Sequence, residues 1–80
     1  MNITYSIRAQ KALARLDVPA RQRIRQGVNN LPEGDVKKLQ GHTELYRLRV
    51  GDWRIVFSYF DDETILIERI SPRGEVYKEV

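Results

Sequence analysis

Apolar and polar positions alternate along residues 2–7, with Ile3, Tyr5 and Ile7 on one side and Asn2, Thr4 and Ser6 on the other, the period of a half-buried strand. From about Arg8 the period changes. Ala9, Ala12, Leu13 and Leu16 stand at i, i+3, i+4 and i+7 while Arg8, Lys11 and Arg15 line another face, which predicts an amphipathic helix. Asp17 is placed to cap a second helix, Pro19 falls in its first turn where a missing N–H costs least, and Ala20, Ile24, Gly27, Val28 and Leu31 continue at helical spacing. Pro32 and Gly34 then stop the pattern.

Residues 36–39 read as a short link and 40–43 as a turn; strands follow to the end. In 44–50, Tyr46, Leu48 and Val50 fall on one face and Leu45, Arg47 and Arg49 on the other. Gly51-Asp52 reads as a two-residue hairpin loop, because glycine at the first central position suits a type II′ turn. Residues 53–60 form the return strand, 61–63 a polar turn rather than a metal site, and 64–70 a strand rich in β-branched residues, broken at 71–74 before a short tail. Trp53, Phe57 and Tyr59 share a strand face and read as core. The expectation is one α+β domain over residues 1–80, ordered β-α-α-β-β-β, with a helical hairpin packed on one face of a mainly antiparallel twisted sheet.

Composition narrows the chemistry. Eighty residues bury only roughly 60% of the surface an unfolded chain exposes, so nearly every periodic apolar residue must serve a single core. There is no cysteine, hence no disulfide framework and no thiolate metal site, and a reducing, cytoplasmic setting is expected. With His42 the only imidazole, a two-histidine acid and base mechanism is excluded. No apolar run approaches the about 20 residues of a membrane span, and no secretory leader is readable. The net charge of +3 is unevenly spread: residues 1–36 hold six basic and three acidic groups, residues 37–80 eight of each.

The two-residue loop fixes a register pairing Val50 with Trp53, Arg49 with Arg54, Leu48 with Ile55 and Arg47 with Val56. Arg47, Arg49 and Arg54 then share the face opposite Leu48 and Ile55. Like charges directly across a strand pair are destabilising by up to roughly 1 kcal/mol, which points to an external anion. Guanidinium is the natural group for phosphate, since its planar fork offers parallel N–H donors. Arg73 and Tyr77 join the set if the tail folds beside the hairpin, Tyr77 adding a π-face and a hydroxyl. The plainer alternative is a solvated arginine face, with Arg47 paired to Glu44 or Glu68, Arg49 to Asp52, and Tyr77 covering the core edge.

Three runs carry a resemblance: Lys37-Lys38-Leu39-x-Gly41; Tyr46-Arg47-Leu48-Arg49-Val50-Gly51-Asp52-Trp53-Arg54-Ile55-Val56-Phe57; and Ile70-Ser71-Pro72-Arg73-Gly74-Glu75-Val76-Tyr77-Lys78. Together with the helical region 13–31, they make the chain resemble the RelE/ParE superfamily of bacterial toxins, in its RelE-like branch. The resemblance implies a toxin held by a cognate antitoxin. In that branch it implies a ribosome-dependent endoribonuclease that cuts mRNA without metal or small-molecule cofactor, the 2′-OH attacking the adjacent phosphate and displacing the 5′-oxygen. By that resemblance Arg54 and Arg73 act on the scissile phosphate, Tyr77 stacks on or orients a nucleotide as a third member of the catalytic set, and Arg47 and Arg49 bind the RNA backbone. Some relatives carry lysine where Arg47 and Arg49 stand. An arginine of pKa about 12.5–13.8 cannot serve as a base, so the base is left open among His42, Glu44, Glu75 and Tyr77. The alternative function is a ParE-like toxin that inhibits DNA gyrase by binding, with no nucleolytic chemistry. The basic helical residues Arg8, Lys11, Arg15, Arg21, Arg23 and Arg25 read first as a solvated face and second as a surface for RNA phosphates or an acidic partner.

Overall fold

A serine and an aspartate start the helices. In the computed structural model, which describes residues 1–39, 41 and 44–72, strand β1 (Asn2–Tyr5) leads into helix α1 (Ile7–Ala14) and then α2 (Val18–Asn29). Ser6 Oγ accepts the Ala9 N–H at 3.0 Å, and Asp17 Oδ1 accepts the Ala20 N–H at 3.0 Å, each satisfying a donor that the first helical turn leaves unpaired. Pro19 stands in the first turn of α2, as its sequence position predicts. The strand read over residues 2–7 ends at Tyr5, because Ser6 turns its side chain to capping and Ile7 enters α1 exposed.

Among the described residues four further strands join β1 in one sheet: β2 (Asp35–Lys38), β3 (Tyr46–Val50), β4 (Trp53–Tyr59) and β5 (Thr64–Pro72), in the spatial order β1-β5-β4-β3-β2. Among the described residues β1 and β5 pair in parallel and the other neighbours are antiparallel. The helical hairpin and the mainly antiparallel sheet are as expected, with one strand more. Residues 36–39, read as a link, lie mostly in β2, which pairs with β3 and turns Val36 toward the core. A run of four residues with one apolar position carries too little alternation to announce a strand by itself.

The helices cover one face. Ala9 and Leu13 of α1, Ile24 and Val28 of α2, and Leu31 pack on Leu48, Ile55, Phe57, Ile65, Ile67 and Ile70. Gly27 lets α2 approach β3: a Cβ there would lie 2.6 Å from Val50 Cγ2. Phe57 is core and Trp53 packs against it, whereas Tyr59 is 42% exposed and meets Phe57 and Tyr46 edge-on, so the third of these expected core aromatics lies at the rim.

One irregularity decides what faces outward. Val56 stands opposite Arg69, but Phe57 stands opposite Ile67, so Glu68 is the extra residue of a β-bulge in β5. Simple alternation from Ile65 and Ile67 would send Arg69 and Ser71 toward the helices. The bulge reverses the parity, returns Ile70 to the core and places Arg69 and Ser71 across from Val56 and Arg54 on the outer face. Ser6 ties the bulge to α1, its Oγ donating to the Glu68 carbonyl at 2.8 Å and its backbone N–H to the Ile67 carbonyl at 2.8 Å. Among the described residues, no helix is long and apolar enough to cross a membrane.

Candidate functional site

The β3–β4 hairpin turns at Gly51, whose φ of +57° is a left-handed value that glycine adopts without strain. Among the described residues no non-glycine residue has positive φ, so Asp52 does not, and a positive φ at the first central position alone is the mark of the type II′ turn. Its register is the predicted one: Val50 with Trp53, Arg49 with Arg54, Leu48 with Ile55, Arg47 with Val56. Leu48 and Ile55 lie in the core, which puts Arg47, Arg49 and Arg54 together on the face the helices leave open.

The three guanidinium groups are held differently. Arg47 is 4% exposed, and its Nη1 reaches both the Asp35 backbone carbonyl and Oδ1 at 3.4 Å. Arg49, its side chain half exposed, places Nε 3.7 Å from Asp35 Oδ2. Arg54 is 4% exposed and folds back on its own turn, with Nη1 donating to the Gly51 carbonyl at 3.4 Å and the Trp53 carbonyl at 3.2 Å. Arg54 Nε is buried without a hydrogen-bond partner, and no carboxylate pairs with this guanidinium among the described residues. A buried donor left in that state costs about 1–3 kcal/mol. Among the described residues, Arg47 and Arg49 thus share one carboxylate, that of Asp35, and Arg54 has none.

Asp35 replaces the counterions considered from sequence. Arg47 does not pair with Glu44 or Glu68, nor Arg49 with Asp52; both turn to Asp35, which β2 sets directly opposite Arg49. The same pairing sets Lys37 opposite Arg47, and the bulge adds Arg69 and the buried Ser71. Lys37, Asp35, Arg69 and Ser71 were not legible as site residues. Lys37 and Asp35 needed β2 to be recognised, and Arg69 and Ser71 needed the bulge. Arg73, Tyr77 and His42 lie outside the described residues. Asp61-Asp62-Glu63 is the expected polar turn, with Asp61 Oδ1 accepting the Glu63 N–H at 2.8 Å.

Comparison with known proteins places this architecture. Residues 3–77 match the family described as the ParE toxin of the type II toxin-antitoxin system, parDE. A 45-residue stretch is 42% identical to RelE1 of Methanocaldococcus jannaschii, covering 55% of this chain and 50% of that protein, so the match spans about half the length of that relative. Among solved structures, a chain of the archaeal RelE-RelB complex from Pyrococcus horikoshii OT3 superposes with a TM-score of 0.71 at 31% identity, over 92% of this chain and 96% of that one. A chain of the RelB-RelE antitoxin-toxin complex from Methanococcus jannaschii gives 0.75 at 26% identity, over 95% and 96%. The isolated E. coli RelE toxin shares the fold, with a TM-score of 0.72 at 22% identity over 98% of this chain and 92% of that one. A helical hairpin on one side of an open sheet is the build of a small type II toxin. The chain belongs to the ParE toxin family of the RelE/ParE superfamily and is a RelE-like toxin of a type II toxin-antitoxin system.

Proposed function

We propose that this toxin is a ribosome-dependent mRNA endoribonuclease, kept silent by a cognate antitoxin. The observation that supports the reading is the convergence of Arg47, Arg49 and Arg54 on one sheet face, where, among the described residues, Asp35 pairs with the first two and no carboxylate pairs with the third. Among the described residues such a face is short of negative charge, and a phosphodiester supplies it in the geometry guanidinium prefers.

Holding the charge that develops falls to the arginines, which cannot themselves take protons. The 2′-oxygen bonds to phosphorus, the bond from phosphorus to the 5′-oxygen breaks, the 2′-hydroxyl proton passes to a base drawn from His42, Glu44, Glu75 and Tyr77, and the protonated base delivers it to the 5′-oxygen. The products are a 2′,3′-cyclic phosphate and a 5′-hydroxyl. Arg54, with its unpartnered Nε, and Arg73 stabilise the charge that grows on the phosphoryl oxygens; a preorganised donor of this kind contributes about 10²–10³ in rate. Arg47 and Arg49 hold the backbone, Arg49 making the first contact because it alone of the three is well exposed. Tyr77 orients the nucleotide. Since arginine stays protonated, ribosome-held geometry carries much of the acceleration.

The antitoxin partner is supported by the complexes of RelE with RelB among the similar structures. The test is a translating extract: new cuts within codons with the parent protein, and loss of those cuts in Arg54→Ala and Arg73→Ala. A second reading is favoured by the ParE description of the matching family, namely inhibition of DNA gyrase by binding alone. Intact mRNA together with blocked gyrase supercoiling would establish that reading instead.

A further inference from the structure

Among the described residues the two most exposed large apolar side chains, Phe60 at 74% and Ile7 at 71%, each sit among charges of one sign, and the two signs are opposite. Phe60 opens the β4–β5 turn, where the exposed Asp61, Asp62 and Glu63 follow it. The Asn2 N–H donates to the Glu63 carbonyl at 2.7 Å, which brings the exposed Met1 alongside this turn, and the exposed ring of Tyr59 precedes it. Two further bonds fix the turn's shape, from the Phe60 N–H to the Thr64 carbonyl at 2.9 Å and from the Glu63 N–H to Asp61 Oδ1 at 2.8 Å.

Ile7 opens α1 and lies with Ala12 in an open groove of about 440 Å³ rimmed by Arg8, Lys11 and Arg15. Helix electrostatics accounts for Lys11 in the last turn of α1 and Arg15 at its C-cap, but not for Arg8 in the first turn. Neither the three carboxylates of the turn nor the three cations of the groove form an ion pair among the described residues.

A lone exposed apolar side chain is ordinary on a protein surface. The combination here is different, because an aromatic side chain beside three carboxylates on one part of the molecule complements an apolar groove beside three cations on another. The carboxylates turn polyanions away from Phe60, so its partner is cationic around an apolar centre, and this chain presents such a surface itself. We infer that the Phe60 turn of one copy seats in the Ile7 groove of a second copy. The two halves differ, so the contact is head-to-tail, leaving an unused groove at one end and an unused turn at the other unless a ring closes. A turn and one short helix make a small interface, so the association is weak and follows concentration.

The inference goes beyond the nuclease reading, and neither half includes a residue of the arginine face, so self-association and cleavage can fail separately. Sedimentation velocity of the purified toxin is measured from about 0.02 to 1 mM protein, at about 50 and 500 mM salt. The weight-average sedimentation coefficient is expected to rise with concentration at the lower salt and to rise much less at the higher. Phe60→Ser/Asp62→Asn, in the turn, and Ile7→Ser/Arg8→Gln, in the groove, should each weaken self-association at least about tenfold. Mixed in equal amounts the two variants should pair, the intact groove of the first taking the intact turn of the second, and stop at two chains. The single variants Phe60→Ser and Ile7→Ser, both at exposed positions, keep the test open if either double variant unfolds. The inference is overturned by a parent that stays monomeric throughout, including one whose turn captures a different basic protein. Association insensitive to salt, a variant that associates as the parent does, or a mixture that fails to pair overturns it equally.

Discussion

Arg49 and Arg54 stand directly across from each other on β3 and β4, both on the face opposite the helices, and among the described residues only Arg49 of the two has a carboxylate within reach. A cross-strand pair of like charges is destabilising by up to roughly 1 kcal/mol, and the buried Nε of Arg54 adds an unpaired donor. The fold would gain from an apolar residue at position 54. Arg54→Met is therefore expected to leave the thermal midpoint unchanged or raised by a few degrees, since replacing a buried charge by a packed side chain is often neutral or stabilising. The same variant should lose about 10²–10³ in cleavage rate. A large drop in midpoint with activity retained would make Arg54 a structural residue only.

Asp35 joins Arg47 to Arg49 across 3.4 and 3.7 Å and is itself half exposed. Any phosphate on this face competes with it. Asp35→Asn is expected to tighten binding of single-stranded RNA at low salt and to steepen its salt slope by up to about 0.7, the value for one additional phosphate neutralised on a single strand. The stability cost should stay near 1 kcal/mol or below, because the contacts are long and partly solvated. Denaturant titration and anisotropy read the two effects separately.

How much of this was readable beforehand depends on the range over which each feature is encoded. The β3–β4 hairpin was legible because Gly51 sets the turn and the turn sets the register, all within a few residues; the Arg49–Arg54 pairing followed. The caps at Ser6 and Asp17 are equally local, yet only Asp17 announced itself, since Ser6 also fits the alternation of the preceding strand. Asp35 and Lys37 were missed because β2 exists through pairing with β3, a long-range event. Arg69 was missed because a one-residue bulge inverts the parity of β5, and nothing in the run of residues 64–70 marks Glu68 as the extra residue.

Ser6 serves two elements at once, the first turn of α1 and the bulge carbonyl of Glu68. Ser6→Ala should thus cost about 2 kcal/mol, a cap plus a further hydrogen bond, against about 1 kcal/mol for Asp17→Ala, which removes a cap alone. Chemical denaturation of both variants checks the ranking; equal losses would mean that the bulge holds without Ser6.

Gly27 is required by the approach of α2 to β3. Alanine normally improves a helix by about 1 kcal/mol over glycine, but here its Cβ meets the stiff Val50 side chain at 2.6 Å. Overpacking of about 1–3 kcal/mol outweighs that gain, so Gly27→Ala is expected to destabilise. Adding Val50→Ala to Gly27→Ala should recover part of the loss, a coupling that a double-mutant cycle measures directly.

Burial raises the Tyr5 phenol above its usual value of 10.0, with the neighbouring Arg25 partly offsetting the shift. The folded state therefore keeps this proton at pH values where the unfolded chain has lost it. Stability is unaffected by Tyr5 below pH 10.0, and falls as pH rises from there through the folded value. Tyr5→Phe removes this contribution and should flatten the alkaline decline seen in unfolding midpoints.

The central claim is that the arginine face of the sheet acts on a phosphodiester of translated mRNA. Its most direct measurement is the end chemistry of mRNA fragments recovered from translating ribosomes. The account predicts fragments ending in 2′,3′-cyclic phosphate, paired with 5′-hydroxyl ends, and a loss of both in Arg49→Ala/Arg54→Ala. Full-length mRNA on ribosomes saturated with the parent toxin would contradict it.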